Sequence, residues 1–470
     1  MRAIDAAPED ATFDASEYRA LVGDDAVAAR AFEDADKDAA SGRASRASLL
    51  RAFGWHESTV DASTHLPLDW GRGGEPAPEP TTFDRAAAAA VNAAVEAESA
   101  GTPKHHELDP ETARAQRRAA YVHSETRESL TATDPETGRE IRFAFWRPSA
   151  PKPDGPDGEK HESPWSNGPR GIYLLFHGGG FVFGDAAGQN DERLERMAAN
   201  LGVVVMVPDY RKAPENPYPA ALEDCESAAR WCEANAAAHF DMHERAGGTL
   251  IMGGESAGAN LCASVLQRRR RAHDTDARER ERERETGFRE TSETSHSSEF
   301  PWRFANLVYG IFDLAGTPSV TAFGERRLVE TAEDLRYFAR CYCPDEAARG
   351  ADAGASPLLG DLRGMPPAAF TVGTEDALLD DTLLMREAWL NAGGEATLDV
   401  WPEGPHGVGH FGPHATTTLG LACRHRVHER IATVLDAASD IRRGTVNPWT
   451  YLAYENAGMF DSDSGDEDDE

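Results

Sequence analysis

Residues 249–261 read TLIMGGESAGANL, and the next stretch continues as CASVLQ. A short apolar run ends in two glycines, two polar residues, Glu255 and Ser256, follow, and helix-like text begins at once. That succession predicts a strand, a tight turn and a helix, with Ser256 at the turn. Gly254 and Gly258 flank Ser256 at positions where a side chain would collide with neighbouring backbone, so the serine is pushed outward. The pentapeptide GESAG taken alone is also compatible with a plain Gly-rich turn. Its place after an apolar strand favours an exposed nucleophile.

Working outward, the text on both sides alternates strand-like and helical runs. Strand candidates are Arg139–Trp146, Ile172–Phe176, Val203–Val207, Leu250–Met252, Leu307–Phe312, Ala369–Val372 and Ala396–Trp401. Helical stretches lie between them at Asp191–Asn200, Ala220–Ala237 and Asp380–Asn391. Short, continuously apolar strands separated by helices predict an α/β fold with a mostly parallel twisted sheet covered on both faces.

The strand GIYLLF runs into His177-Gly178-Gly179-Gly180. Consecutive glycines let backbone N–H groups converge on a developing oxyanion, with the N–H of Ala257 as a further donor. A phosphate-cradling loop is the rival, but no GK[ST] follows and no dinucleotide spacing is completed. His177 reads as a brace for the loop rather than a base. Two loops downstream offer an acid and a base: Gly373-Thr374-Glu375-Asp376 after one strand, and Gly404-Pro405-His406-Gly407 after the next. Both would reach the carboxyl edge of the sheet, where open α/β folds gather their sites. Spacing leaves open Glu375 against Asp376, and His410 or His414 against His406.

These segments resemble the hormone-sensitive-lipase-type esterases, the HGGG-bearing branch of the α/β-hydrolases. The resemblance runs in order through HGGGFVFG (177–184), PDYRKAPENPYPAALED (208–224), GESAGANL (254–261), SPLLGDLRGMPP (356–367) and GPHG (404–407), across residues 118–435. It implies an α/β-hydrolase fold with a helical cap and a serine carboxylesterase acting on short-to-medium acyl or aryl esters. By position it assigns Ser256 as nucleophile, Asp376 as acid and His406 as base. It places the oxyanion hole at Gly178, Gly179, Gly180 and Ala257. The PDYRKAPENPYPA stretch reads as structural. Three positions depart from the family's pattern: Ala377 stands where proline is usual, Val408 where phenylalanine is common, and Glu255 where aspartate is commoner. A non-catalytic small-molecule receptor on the same fold would lose the histidine, which is present here. An amidase or deacetylase differs only in its leaving group and stays open as an alternative.

Composition bounds the rest. The 470 residues carry 48 Lys and Arg against 81 Asp and Glu, a formal charge of −33. Such a polyanion repels nucleic acid and anionic membrane surfaces; the expected partner is the small-molecule ester substrate that the resemblance implies. No run of 18 apolar residues occurs, so no integral membrane association is expected. The start, MRAIDAAPEDATFDASE, lacks an apolar leader core, and six scattered cysteines without zinc-ligand spacing suit a reducing, cytoplasmic setting. No metal and no organic cofactor are expected. Outer-helix dimerisation is common among similar proteins, which leaves a homodimer open, though no interface is marked in this sequence. Lysine is scarce, five residues beside 43 arginines; salt adaptation and GC-rich codon usage both account for it.

The domain reading is threefold. Residues 1–117 form an Ala/Asp-rich extension, part disordered and part cap, with helical candidates at Glu17–Asp36, Ser48–Phe53 and Asp84–Glu98. Residues 118–435 form the catalytic domain, with a solvated Arg/Glu-rich insertion at 267–300 and a second cap segment at 317–354. Residues 436–470 end in DSDSGDEDDE, read as a disordered acidic tail.

Overall fold

The computed structural model describes residues 12–13, 44–45, 85–121, 123–148, 168–189, 191–242, 248–286, 299–410 and 413–438. The helical candidates at 17–36 and 48–53, residues 149–167 and the acidic tail lie outside the described residues.

Eight strands make the central sheet: β1 (Glu128–Thr133), β2 (Glu140–Trp146), β3 (Gly171–Phe176), β4 (Val203–Pro208), β5 (Thr249–Glu255), β6 (Trp302–Val308), β7 (Ala368–Glu375) and β8 (Ala396–Pro405). Their spatial order is β8-β7-β6-β5-β3-β4-β2-β1. From β8 to β4 every pairing is parallel; β4–β2 and β2–β1 are antiparallel. The helices are α1 (Arg85–Ser99), α2 (Pro110–Ala120), α3 (Asp191–Leu201), α4 (Ala220–His239), α5 (Ala257–Thr286), α6 (Pro318–Phe323), α7 (Ala332–Tyr342), α8 (Glu346–Arg349), α9 (Leu379–Asn391) and α10 (Thr418–Ala438).

Every residue of β3, β4 and β5 is buried, which is why these strands read as unbroken apolar runs rather than alternating ones. Their side chains divide between two cores. Leu174, Met206 and Met252 pack with α4, α5 and α9 on one face. Tyr173, Val205 and Ile251 pack with Leu194 and Met197 of α3 and Ile431 of α10 on the other. Each such side chain contributes about 1.5–3 kcal/mol on burial, so the central strands anchor the loops at their carboxyl ends.

Three elements differ from the sequence expectation. β1, with the sequence ESLTAT, is too polar to announce itself; it is an edge strand registered on β2. The strand expected at 307–312 begins earlier and stops at Val308, because Tyr309 turns to a positive φ of 36° and leads the chain into a loop. The Arg-rich segment after Gln267, expected as a solvated insertion, continues α5 through Thr286 without a break. The buried turns at Ala257–Leu266 nucleate it, and Arg and Glu then propagate it readily. Its first arginines are docked rather than free: Arg269 pairs with Glu233 at 2.7 Å and Arg268 with Glu226 at 3.2 Å on α4.

The motif PDYR proves to be a clamp. Arg211 donates to Asp224 through Nε and Nη2 at 2.8 and 2.9 Å, and Arg139 donates to the same carboxylate at 2.6 Å. Among the described residues no helix is long and apolar enough to cross a membrane.

Candidate active site

Four loops that matter leave the carboxyl ends of the parallel strands: His177 after β3, Ser256 after β5, Asp376 after β7 and His406 after β8. Ser256 sits between β5 and α5 with φ of 56°, a conformation costing a non-glycine residue about 1–3 kcal/mol. Its own N–H donates to Val308 O at 2.9 Å, which pins the turn to β6. Gly258 is required by contact: a Cβ there would lie 1.9 Å from Phe176 O.

Ser256, His406 and Asp376 form one buried chain. His406 Nε2 lies 3.0 Å from Ser256 Oγ, and Nδ1 lies 2.9 and 3.1 Å from the two Asp376 oxygens. Asp376 Oδ1 also accepts the Leu378 N–H at 2.8 Å. Burial pulls the His406 imidazole down, but the charges of Asp376 and Glu330 overcome it and raise it to about 9.

The alternatives that spacing left open separate here. Glu375 is taken by Arg326 at 2.6 Å, away from the imidazole. His410 lies 4.0 Å from Glu255 and is pushed down to about 4 by burial foremost. His414 contacts Asn92 Oδ1 on α1 at 2.9 Å. His177 stacks on Tyr210 at 4.3 Å, holds the Gly178 carbonyl at 2.7 Å, and is kept neutral by burial, with Lys212 adding to the effect. It braces the glycine loop, as expected.

In that loop Gly180 has φ of 61°, and a Cβ there would lie 2.4 Å from the Phe338 ring of α7. The N–H groups of Gly179, Gly180 and Ala257 make none of the loop hydrogen bonds of the described residues. Gly179 and Gly180 border the same cavity as Ser256.

The cavity measures about 930 Å³. Gly178–Gly180, Ser256 and His406 form its floor, and its walls include His105, Arg117 and Tyr121 from the amino-terminal segment with Val329, Glu330 and Phe338 from the segment around α7. Sequence reading passed over several of its charged groups, Arg193 and Glu330 among them. Glu255 pairs with Arg193 Nη1 at 2.8 Å; burial would raise the carboxyl, but Arg193 foremost among its neighbours holds it below its ordinary value. Glu330 Oε1 lies 3.3 Å from His406 Nε2, and burial raises this carboxyl to about 7. No motif marks either partner: Arg193 lies in α3, and Glu330 in a loop reading LVETAED. Among the described residues no group of His, Cys, Asp and Glu gathers as a metal site would.

A family profile described as alpha/beta hydrolase fold matches residues 173–410. The chain belongs to that family. Among its relatives are the carboxylic ester hydrolase LipN of Mycobacterium tuberculosis, 31% identical over 235 residues covering 50% of this chain and 56% of that one. An acetyl-hydrolase of Streptomyces hygroscopicus is 31% identical over 233 residues, covering 49% of this chain and 65% of that one. The matched part thus spans about half to two thirds of these relatives. Mouse hormone-sensitive lipase is 38% identical over 108 residues, covering 23% of this chain and 13% of the lipase, so the resemblance read from the motifs stands. Among solved structures, an esterase of Pyrobaculum calidifontis superposes with a TM-score of 0.54 at 23% identity, over 74% of this chain and 98% of that one. At that identity it establishes the α/β-hydrolase fold.

Proposed function

We propose that the protein is a serine carboxylesterase hydrolysing short-to-medium acyl or aryl esters through an acyl-Ser256 intermediate. The observation that carries this reading is the hydrogen-bonded chain from Ser256 Oγ through His406 to the buried Asp376. In the first half-reaction His406 Nε2 takes the Ser256 proton as Oγ attacks the ester carbonyl. The imidazolium, held by Asp376, then returns that proton to the departing alkoxide. In the second half-reaction His406 deprotonates a water that attacks the acyl carbon, and the proton goes back to Oγ as the acid leaves. The N–H groups of Gly178–Gly180 and Ala257 receive the negative charge on the carbonyl oxygen in both tetrahedral intermediates.

The segments bearing Arg117 and Phe338 act as the cap in this reading, excluding water from the cavity. The relatives named above, an ester hydrolase and an acetyl-hydrolase, suit a small acyl group. No metal or organic cofactor enters the scheme, and the proposed setting is cytoplasmic.

The test is a fluorophosphonate probe followed by peptide mass spectrometry, beside turnover of a p-nitrophenyl acyl series. The expected result is a single adduct on Ser256 and turnover that Ser256→Ala abolishes while the fold is retained. Full turnover in the folded Ser256→Ala protein would exclude the assignment.

A further inference from the structure

Of the carboxyl groups that line the cavity and that ester hydrolysis by Ser256, His406 and Asp376 does not require, Glu330 lies against the catalytic base. Glu330 lies on the loop ahead of α7, is buried, and borders the cavity. Its Oε1 makes no hydrogen bond among the described residues and faces His406 Nε2 at 3.3 Å as a contact between charges only. Asp191, elsewhere on the cavity wall, also has one oxygen without a hydrogen bond, but its other oxygen accepts the Ser124 N–H; the acids nearest Glu330 have donors. Glu255 has Arg193, Asp376 has His406 and the Leu378 N–H, and Asp334 accepts from the Thr331 N–H and hydroxyl and from the His106 N–H. A buried carboxyl oxygen left without a donor is destabilising, and such a group retained at a cavity wall calls for a ligand that supplies the donor.

Its position says which part of the ligand. Oε1 lies 3.3 Å from His406 Nε2, the atom that must hand its proton to the leaving oxygen of the ester. The alcohol half of the substrate therefore passes within hydrogen-bond reach of Nε2 and lies beside Oε1. An atom two or three bonds beyond the ester oxygen falls within reach of Glu330.

Resting on the esterase reading above, we propose that Glu330 selects the alcohol half of the substrate by binding a hydrogen-bond donor, a hydroxyl or a protonated amine, carried close to the ester oxygen. The same contact has a second effect. Glu330 Oε1 and Ser256 Oγ both lie within reach of one nitrogen, His406 Nε2. A substrate donor that engages Oε1 leaves Nε2 to Ser256, so the preference extends to kcat as well as KM.

The experiment compares butyrate esters that differ in one group, using the full chain. Dimethylaminoethanol butyrate is set against the butyrate of isoamyl alcohol, its carbon isostere, and ethylene glycol monobutyrate against propyl butyrate. The donor-bearing member of each pair is expected to have a kcat/KM about tenfold higher. Glu330→Leu should bring both ratios near one, and Glu330→Gln should abolish the amine preference while keeping part of the hydroxyl preference through its amide oxygen. Hydrolysis of p-nitrophenyl butyrate, whose alcohol bears no donor, reports on the esterase reading separately; its absence from folded protein would overturn both. With that hydrolysis present, ratios near one in the wild-type protein would overturn this proposal alone, whatever the variants do, as would ratios that survive Glu330→Leu.

Discussion

Replacing Glu330 by Gln should move the acidic limb of the pH–rate profile toward lower pH. The groups facing His406 are Asp376, Glu330 and Glu255, and those facing Glu330 are His406, Asp376 and Asp334. A general base must be neutral, and here burial lowers the imidazole while the two carboxylates raise it, with Asp376 foremost and Glu330 next, to about 9. At neutral pH most of the free enzyme would then carry a protonated His406, and the limb belongs to the His406–Glu330 pair jointly. Two full charges 3.3 Å apart interact by about 5 kcal/mol at an effective dielectric constant of ~20. That is a ceiling, since Glu330 itself ionises only near 7. A fall of about one pH unit in the His406 midpoint, worth about 1.4 kcal/mol, is the conservative expectation. The sign is fixed: removing an anion destabilises the imidazolium, so the base becomes available at lower pH. The assay is pH-stat titration of a plain alkyl ester from about pH 5 to 9.5 at low substrate, where kcat/KM reports free-enzyme ionisations. An unmoved limb, or one moved to higher pH, would refute the assignment of Glu330 as a partner of His406.

Gly180→Ala would place a methyl group 2.4 Å from the Phe338 ring at a positive φ; kcat/KM on p-nitrophenyl acetate should drop about 100-fold, and an unchanged value would separate this glycine from the oxyanion role. His410→Gln should keep the fluorophosphonate adduct on Ser256 whereas His406→Gln loses it, because His410 faces Glu255 rather than the serine; adduct loss in both would undo that distinction. Asp134→Ala strands a buried guanidinium that now donates to Asp134 from both Nε and Nη2. With Glu226 still 3.2 Å from Arg230, the cost should be about 2 kcal/mol, below that of breaking an isolated buried pair; urea unfolding with an unchanged midpoint would contradict it.

Local chemistry made the strand β5, the turn at Ser256 and the glycine loop legible, because backbone constraints leave marks on adjacent residues. Choosing His406 over His410 and His414 needed the family resemblance, since all three follow one strand and only packing directs them differently. Arg193 and Glu330 left no mark at all. Arg193 lies 62 residues from its partner Glu255, and a charged residue on a helix or loop reads as solvent-facing until tertiary structure buries it. The docking of the first arginines of the Arg-rich run was hidden for the related reason that the run lacks an apolar stripe: it is electrostatic, onto Glu226 and Glu233, which no periodicity reveals.

The departure at Ala377 shows how contacts can replace a local constraint. A proline there would fix φ and stiffen the turn that presents Asp376. In its absence the turn is held from outside. Asp376 Oδ1 accepts the Leu378 N–H, and Ser319 Oγ, on α6, donates to Ala377 O at 2.6 Å. Asp380 in turn accepts the Ser319 N–H at 2.7 Å. Asp381 accepts from the N–H groups of Phe312 and Asp313 and from the Thr317 hydroxyl at 2.6 Å. The second acidic pair of TEDALLDD therefore ties the acid's loop to the root of the chain segment that goes on to carry Glu330 and Phe338. The rigidity that proline would give one residue is here shared with that wall of the cavity. A disturbance of the α6 root should accordingly reach Asp376 and Glu330 together, which a proline-stiffened turn would prevent.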